Sequence, residues 1–145
     1  MESDKESKLS LSIGRLIMKL RRLERSPRSF GAAGPLTPSE IHTIDAIGCE
    51  NGILMNELAA RLGVTKGAVT QIAGRLETKG LIRRTPDPAD ARATVIALTK
   101  TGILAYRAHK ELHQKFYQEI SARLTPDEIE TFANCVAKLS DVLEE

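Results

Sequence analysis

Hydrophobic positions near the start of the chain recur every three or four residues, which predicts an amphipathic helix over residues 9–23. They are Leu9, Ile13, Leu16, Ile17, Leu20 and Leu23. The prolines and glycines between residues 27 and 35 then interrupt the pattern and should end this helix. A second helix start follows, because Thr37 suits an N-cap, Pro38 suits the first turn, and Glu40 can reach back to the cap.

Two shorter helices with a glycine between them are predicted next. The first covers residues 56–62 and stops at Gly63, a residue type that favours the left-handed position after a helix. Thr65 can cap the second, which ends at Gly80 and whose inward positions are Val69, Ile72 and Leu76. Two helices joined by so short a turn are typical of a helix-turn-helix.

The hydrophobic period changes from helix to strand after Gly80. Leu81–Thr85 and Ala93–Leu98 should form two strands on either side of a tip rich in proline and aspartate. A hairpin directly after a helix-turn-helix predicts a winged helix. The expected fold class is therefore mainly α with a small β-wing.

The rest of the chain again has helical periodicity. Thr99 can cap one helix, and Thr125-Pro126-Asp127-Glu128 repeats the start signal of the second helix. The apolar positions of these two helices are Leu104, Ala108, Leu112, Phe116 and Ile120, then Ile129, Phe132, Val136, Leu139 and Leu143.

A winged helix of about 60 residues has too small a core to cover these terminal stripes as well. The pattern predicts a homodimer in which the first, fifth and sixth helices interdigitate across a two-fold axis, with a closed monomeric bundle as the alternative. The expected division is 1–35 for an N-terminal dimerisation helix and linker, 36–99 for the winged helix, and 100–145 for C-terminal dimerisation helices.

Composition narrows the class of protein. The chain is 41% hydrophobic and 28% charged, which is typical of a globular protein, and no apolar run approaches the roughly 18 residues that span a bilayer. The first residues lack the apolar segment of a secretory signal. Cys49 and Cys135 are isolated and show no CxxC spacing, so we expect reduced thiols and a cytoplasmic protein with no membrane partner. A redox switch at these thiols is a further alternative for how the protein is regulated.

Positive charge is concentrated between residues 61 and 84, which we call the basic segment. It holds six cations and one acid, a net charge of +5, so the other residues must sum to −3 to give the total of +2. A basic segment in a slightly acidic chain is expected of a surface that binds phosphate. Aromatic residues make up only 3%, which argues against a stacking platform for single-stranded bases.

Three stretches of the chain resemble the MarR family of winged-helix transcriptional regulators. They read LTPSEIHTI, MNELAARLGVTKGAVTQIAGRLETKGLIRR and DPADARATVIALTKTG. The resemblance implies a homodimer that binds a pseudo-palindromic operator in duplex DNA. It places the second helix of each helix-turn-helix in a major groove and each wing in a flanking minor groove. We expect a repressor controlled by a small-molecule or metal effector.

The predicted DNA contacts lie at the start of this recognition helix and on the wing. Thr70 and Gln71 should read base edges, and Thr65, Lys66 and Arg75 should contact mainly phosphate. Gly67 lets the backbone approach DNA closely. The resemblance assigns Arg92 to the minor groove, and Asp87 and Asp90 should support the tip of the wing by accepting hydrogen bonds.

The three histidines define a candidate metal site. His109 and His113 are four residues apart on one predicted helix and could share one ion. Zinc-responsive MarR regulators use Glu and His at positions that match Glu24, His42, His109 and His113. However, HTIDAIG and HKELHQKF also resemble the repressors of fatty-acid synthesis genes, whose similarly placed histidines do not sense zinc. Structural histidines or an organic-effector pocket are the alternatives to zinc.

Two other classes of protein compete with a DNA-binding regulator. A metal hydrolase is disfavoured because the sequence contains no nucleophile elbow, phosphate loop or HExxH motif, and we predict no enzyme. A winged helix that binds protein instead of duplex DNA is the second alternative.

Overall fold

The computed structural model describes residues 1–25 and 27–144, apart from the side chain of Glu24. Its six helices are α1 (Glu2–Arg25), α2 (Pro38–Ile47), α3 (Met55–Leu62), α4 (Lys66–Thr78), α5 (Lys100–Arg123) and α6 (Pro126–Glu144). The strands are β1 (Arg28–Ser29), β2 (Pro35–Leu36), β3 (Ile53–Leu54), β4 (Ile82–Pro86) and β5 (Thr94–Leu98). Over the described residues, no helix is both long and apolar enough to cross a membrane.

The chain forms two compact units, Met1–Ala108 and His109–Glu145. The first holds the winged helix, which confirms the predicted fold class. The division into 1–35, 36–99 and 100–145 depends on the predicted homodimer and stays a prediction.

The wing sheet has three antiparallel strands in the order β3-β5-β4. Opposite Ile96 of β5 lie Ile53 of β3 and Arg84 of β4. The hairpin is confirmed, with β4 shifted by one residue and β5 beginning one residue later than predicted. Strand β3 was not predicted, because two residues show no periodicity and only the partner strand makes them a strand. The β1–β2 pair, joined by a 3-10 turn at Gly31–Ala33, was missed for the same reason.

One hydrophobic core joins the helix-turn-helix to this sheet. Its fully buried large side chains are Leu36, Ile44, Leu58, Val69, Leu76, Leu81 and Ile96. They come from α2, α3, α4, the wing strand β5, strand β2 and the turn after α4, so the core fixes how α4 is presented. Val69 and Leu76 confirm the predicted inward face of α4, whereas Ile72 is half-buried and Ala73 is fully buried.

Local sequence signals begin and end these helices as expected. The Thr37 side chain accepts a hydrogen bond from the Glu40 backbone, and the Glu40 side chain accepts one from the Thr37 backbone, which completes a capping box. Gly63 ends α3 in the left-handed conformation, and Thr65 caps α4 by accepting from the amide of Ala68. The first helix begins at Glu2, seven residues before the predicted stripe, since its polar first turns carry no hydrophobic pattern.

The terminal helices leave apolar side chains uncovered within one chain. No described residue of α6 is buried, and Phe132, Val136 and Leu139 are about half-exposed. The stripe of α1 is similarly open, with Leu16 and Leu20 each about half-exposed. Such large exposed apolar stripes are expected to be covered by another surface.

Glu40 is a buried carboxylate that connects α2 to the end of α4. Its Oε1 accepts hydrogen bonds from Thr37 N and from Lys79 Nζ, both at 3.0 Å. Its Oε2 makes a 2.8 Å ion-pair contact with the same Nζ. Burial alone would raise the pKa of Glu40, but the hydrogen bonds from Lys79 and Thr37 outweigh burial and lower the pKa.

This pair makes the stability of the winged helix depend on pH. A carboxylate whose pKa is lowered by folding stabilises the protein above its ordinary value of 4.5, and the contribution is lost as pH falls below that value. We expect Glu40→Gln to lower the free energy of unfolding by about 1–2 kcal/mol at neutral pH, because it removes a hydrogen-bonded charge. The loss should shrink below pH 4.5 in urea denaturation.

Glu128→Gln is the matched control. Glu128 forms the same capping box with Thr125 at the start of α6, but it is exposed and has no lysine partner in the described part of the chain. A pH-dependent loss of equal size in both variants would contradict the assignment to the Lys79 pair.

Candidate nucleic-acid interface

The recognition helix α4 has one buried face and one polar exposed face. Val69, Ala73 and Leu76 are fully buried. The predicted contact residues Thr65, Lys66, Gly67, Thr70, Gln71 and Arg75 are all exposed. The structure therefore brings the six predicted residues of this helix together on one accessible surface, which we call the α4 face.

Several polar groups of the α4 face are left available for an external partner. Lys66 and Arg75 form no ion pair with any described carboxylate, and the Gln71 amide makes no hydrogen bond within the described chain. Thr70 differs, because its hydroxyl donates to the Lys66 carbonyl at 2.7 Å. Thr70 can therefore offer an oxygen acceptor and a methyl group to a base, while its proton is used within the helix.

Gly67 needs no special backbone conformation and has open space around it. A Cβ built there would have only the Thr65 hydroxyl oxygen within 4 Å, at 3.9 Å, and its φ is not left-handed. Helix interiors favour alanine over glycine by about 1 kcal/mol. Nothing in the described part of the free protein therefore requires a glycine, and the open surface would suit close approach by another molecule.

The wing tip is held by its two aspartates. Asp90 Oδ1 accepts the Arg92 backbone amide at 3.0 Å, and Asp87 Oδ1 accepts that of Ala89 at 3.3 Å. Two backbone hydrogen bonds of 2.9 Å also close the tip: the Asp87 amide donates to the Ala93 carbonyl, and the Ala93 amide donates to the Asp90 carbonyl. These are the Asx-type contacts expected of turn aspartates.

Arg92 projects from this tip into solvent. Its side chain is 94% exposed, and its only ion-pair contact among the described residues is a marginal 3.5 Å from Nε to Asp90 Oδ1. Surface pairs of this kind contribute little to stability. The guanidinium group is thus accessible to an outside ligand.

Three of the six cations in the basic segment have partners within the fold. Lys79 pairs with the buried Glu40, and Arg84 Nε lies 3.4 Å from Glu77 Oε2. Arg61 donates to the Ala46 carbonyl at 3.0 Å, at the end of α2. Among the described residues, only Lys66, Arg75 and Arg83 of the six cations lack such a partner.

Sequence reasoning missed the structural role of Arg84. It lies opposite Ile96 in the sheet and is partly buried, with its guanidinium 3.9 Å from the position of a Cβ on Gly74 of α4. The strand alternation that buries Ile82 also turns Arg84 inward, so the period of two could have identified it. Arg84 connects the wing to the recognition helix.

The histidine pair on α5 is confirmed as one neighbouring pair. His109 Nε2 and His113 Nε2 lie 3.0 Å apart, His109 being buried and His113 exposed. His42 is exposed on α2, and the Glu24 side chain lies outside the described residues. Among the side chains that are described, no three His, Cys, Asp or Glu groups could hold a metal ion. The four-residue zinc site stays a prediction. Both cysteines are free and exposed in the single chain.

The arrangement of helix-turn-helix, hairpin and polar α4 face defines a winged helix-turn-helix protein. Residues 35–93 match the model described as the MarR family. The multiple antibiotic resistance protein MarR of Salmonella typhimurium is 30% identical over 131 residues, which cover 89% of this chain and 91% of that protein. The chain belongs to the MarR family of transcriptional regulators, and its class is that of regulators rather than enzymes.

Two solved structures show the same fold. FabT of Streptococcus pneumoniae, determined in complex with DNA, matches with a TM-score of 0.77 and 28% identity over 97% of this chain and 96% of its own. A mutant MarR from E. coli, complexed with operator DNA, has a TM-score of 0.66 and 29% identity over 88% and 93% of the two chains.

Proposed function

We propose that this protein is a cytoplasmic repressor that binds a pseudo-palindromic operator in duplex DNA as a homodimer. The observation that carries the proposal is the α4 face, a set of exposed polar side chains on a helix whose opposite face is buried in the core. A major groove admits an α-helix, and amide, hydroxyl and cationic side chains can read its edges. FabT and MarR, which were determined in complex with DNA, support DNA binding by this chain.

Within the α4 face, chemistry divides the roles. The Gln71 amide, which makes no hydrogen bond within the described chain, suits a bidentate contact to adenine, and Thr70 offers an acceptor and a methyl group. Lys66 and Arg75 carry charges without a described partner, and Thr65 lies beside the helix N-terminus, which favours phosphate.

The open apolar stripes support the homodimer. A second copy supplies the same stripes in a self-complementary arrangement, which an isologous interface requires. Covering α1, α5 and α6 in this way would place two α4 faces on one assembly. Two faces suit an operator with two half-sites about one helical turn apart.

Removing the wing arginine should weaken binding and reduce its dependence on salt. We expect Arg92→Ala to lower affinity by about tenfold, or ~1.4 kcal/mol, for a duplex that the wild-type protein selects from a randomised library. The slope of log affinity against log salt should fall by about one unit for each subunit's arginine, because fewer counterions are released. Fluorescence anisotropy over a range of salt concentrations measures both quantities.

Arg107→Ala is the control for this test, since Arg107 is an exposed arginine of α5 outside the helix-turn-helix and wing. Equal slopes for the wild type and Arg92→Ala would contradict the wing contact. A wild-type protein that selects no duplex would contradict DNA binding altogether and favour a winged helix that binds protein.

Gly67→Ala should separate stability from binding. The free protein has room for the added methyl group, and we expect its free energy of unfolding to stay the same or rise by less than about 1 kcal/mol, because Gly67 lies in the first turn of α4 and the interior value is an upper bound there. Operator affinity should nevertheless fall, by about tenfold, because the methyl group occupies the space into which DNA approaches. Urea denaturation and anisotropy give the two measurements.

Gly74→Ala is the matched control on the same helix, where a Cβ would make only an ordinary 3.9 Å contact with Arg84. If both substitutions weakened binding equally, the effect would belong to the helix as a whole. Close approach at Gly67 would then be wrong.

We propose zinc as an alternative effector, supported by the convergence of the two Nε2 atoms of His109 and His113. Two nitrogens that share one tetrahedral zinc ion lie about 3.3 Å apart, close to the 3.0 Å between these atoms. The described pair would supply two ligands, and His42 and Glu24 are the predicted others. We expect bound zinc in the purified protein, loss of zinc in His113→Ala, and operator affinity that changes with chelator.

A metal-free protein whose operator binding ignores chelator would contradict zinc and leave an organic effector or structural histidines. His42→Ala tests the third ligand in the same assay. Since His42 lies on a different helix from the pair, an unchanged zinc content in that variant would contradict the four-residue site.

A further inference from the structure

The recognition helix ends in a tightly bonded turn. The amide of Leu81 donates to the Leu76 carbonyl at 2.9 Å, and the amide of Gly80 donates to the Glu77 carbonyl at 2.9 Å. Gly80 has a φ of 71°, in the left-handed region. This pair of bonds is the Schellman arrangement, which satisfies helix carbonyls and reverses the chain. The carbonyls of Gly80 and Leu81 then point onward to other partners.

Thr99, at the start of α5, binds both of these carbonyls. Its hydroxyl donates to the Gly80 carbonyl at 2.6 Å, and its backbone amide donates to the Leu81 carbonyl at 3.0 Å. The same hydroxyl accepts the Gly102 amide at 3.2 Å and so caps α5. One side chain therefore joins the end of α4 to the start of α5 across 19 positions of sequence.

Gly102 lets the two helix ends come together. It is buried, and a Cβ there would overlap the Leu81 carbonyl oxygen and lie 3.1 Å from the carbonyl carbon. The obstacle is main chain held by the Thr99 bond, so it cannot rotate away as a side chain would. The φ of Gly102 is not left-handed, and the glycine is required by space alone.

We propose that Thr99 and Gly102 are positioning residues for operator binding, which form a rigid joint between α4 and α5. The joint fixes the orientation of the recognition helix relative to the first turn of α5. This inference rests on the proposed function, in which α5 belongs to the dimer interface. The spacing of the two α4 faces would then be fixed and matched to one separation of half-sites.

The competing explanation is that Thr99 is only a helix cap. Thr125 offers the direct comparison, because its hydroxyl also accepts an amide at the start of a helix, from Glu128 at 3.2 Å. Within the described chain, the Thr125 hydroxyl makes no bond to another element, whereas the Thr99 hydroxyl reaches Gly80. Loss of either cap should affect stability, and only loss of Thr99 should affect spacing.

The experiment measures affinity against half-site spacing. A duplex selected by the wild-type protein is remade with one or two base pairs added to or removed from its centre, each of which rotates one half-site by about a tenth of a turn. Wild-type affinity should fall at least about tenfold on a two-base-pair change. Thr99→Val should bind the original duplex about fivefold more weakly and lose less than about threefold on the same change.

Three variants complete the test. Thr99→Ser keeps the hydroxyl and should restore the wild-type profile, and Thr125→Val should retain it. Gly102→Ala should flatten the profile as Thr99→Val does. All are compared at a temperature where circular dichroism shows them folded, and Thr99→Val alone suffices if Gly102→Ala does not fold.

A second readout needs no DNA. Nitroxide labels on Lys66→Cys, with Cys49 and Cys135 replaced by serine, report the distance between the two α4 helices of a dimer by pulsed electron resonance. The distribution should be narrow with Thr99 and broader with Thr99→Val. A Thr99→Val variant with the wild-type spacing profile and distribution would overturn the joint while leaving the proposed function intact. A wild-type protein that selects no duplex would overturn both.

Discussion

The winged helix depends on how the C-terminal end of α4 is held. Three other elements reach this end. Lys79 pairs with the buried Glu40 of α2, Glu77 contacts Arg84 of β4, and the Gly80 turn accepts Thr99 at the start of α5. Because all three contacts lie at one end of α4, its first turns stay clear of them. The exposed side chains at the start of α4 are therefore available to a partner, while the buried Val69 and Leu76 keep the helix packed on the core.

This arrangement also divides the charges of the chain into two groups. Cations near the anchored end, such as Lys79 and Arg84, are used within the fold, while Lys66 and Arg75 face outward. Of these pairings, only that of Lys79 with Glu40 lowers the net charge of the basic segment, because Glu77 is already counted in it. The wing follows the same rule, because Asp90 binds the backbone of the tip and leaves the guanidinium of Arg92 exposed.

Regulation in such a protein requires that a change elsewhere move the recognition helices. A ligand can change the spacing of the two α4 faces in a dimer only if it binds one spacing more tightly than another. A rigid connection then transmits the change to α4. The junction of Thr99, Gly102 and Leu81 supplies a connection of this kind within the winged-helix unit. A flexible linker at the same place would let α4 relax independently of α5.

Much of the fold and most of the α4 face were predictable from sequence alone. Thr37, Thr65 and Thr99 cap helices through bonds to residues three positions away, and the inward positions of α4 follow from its period. Such signals are local, so they can be read without knowing the partner elements. Tertiary structure alone decided the existence of β3, the pairing of Glu40 with Lys79 across 39 positions, and the second use of the Thr99 hydroxyl. Those contacts form only when distant segments meet in the core, and no local pattern specifies their partners.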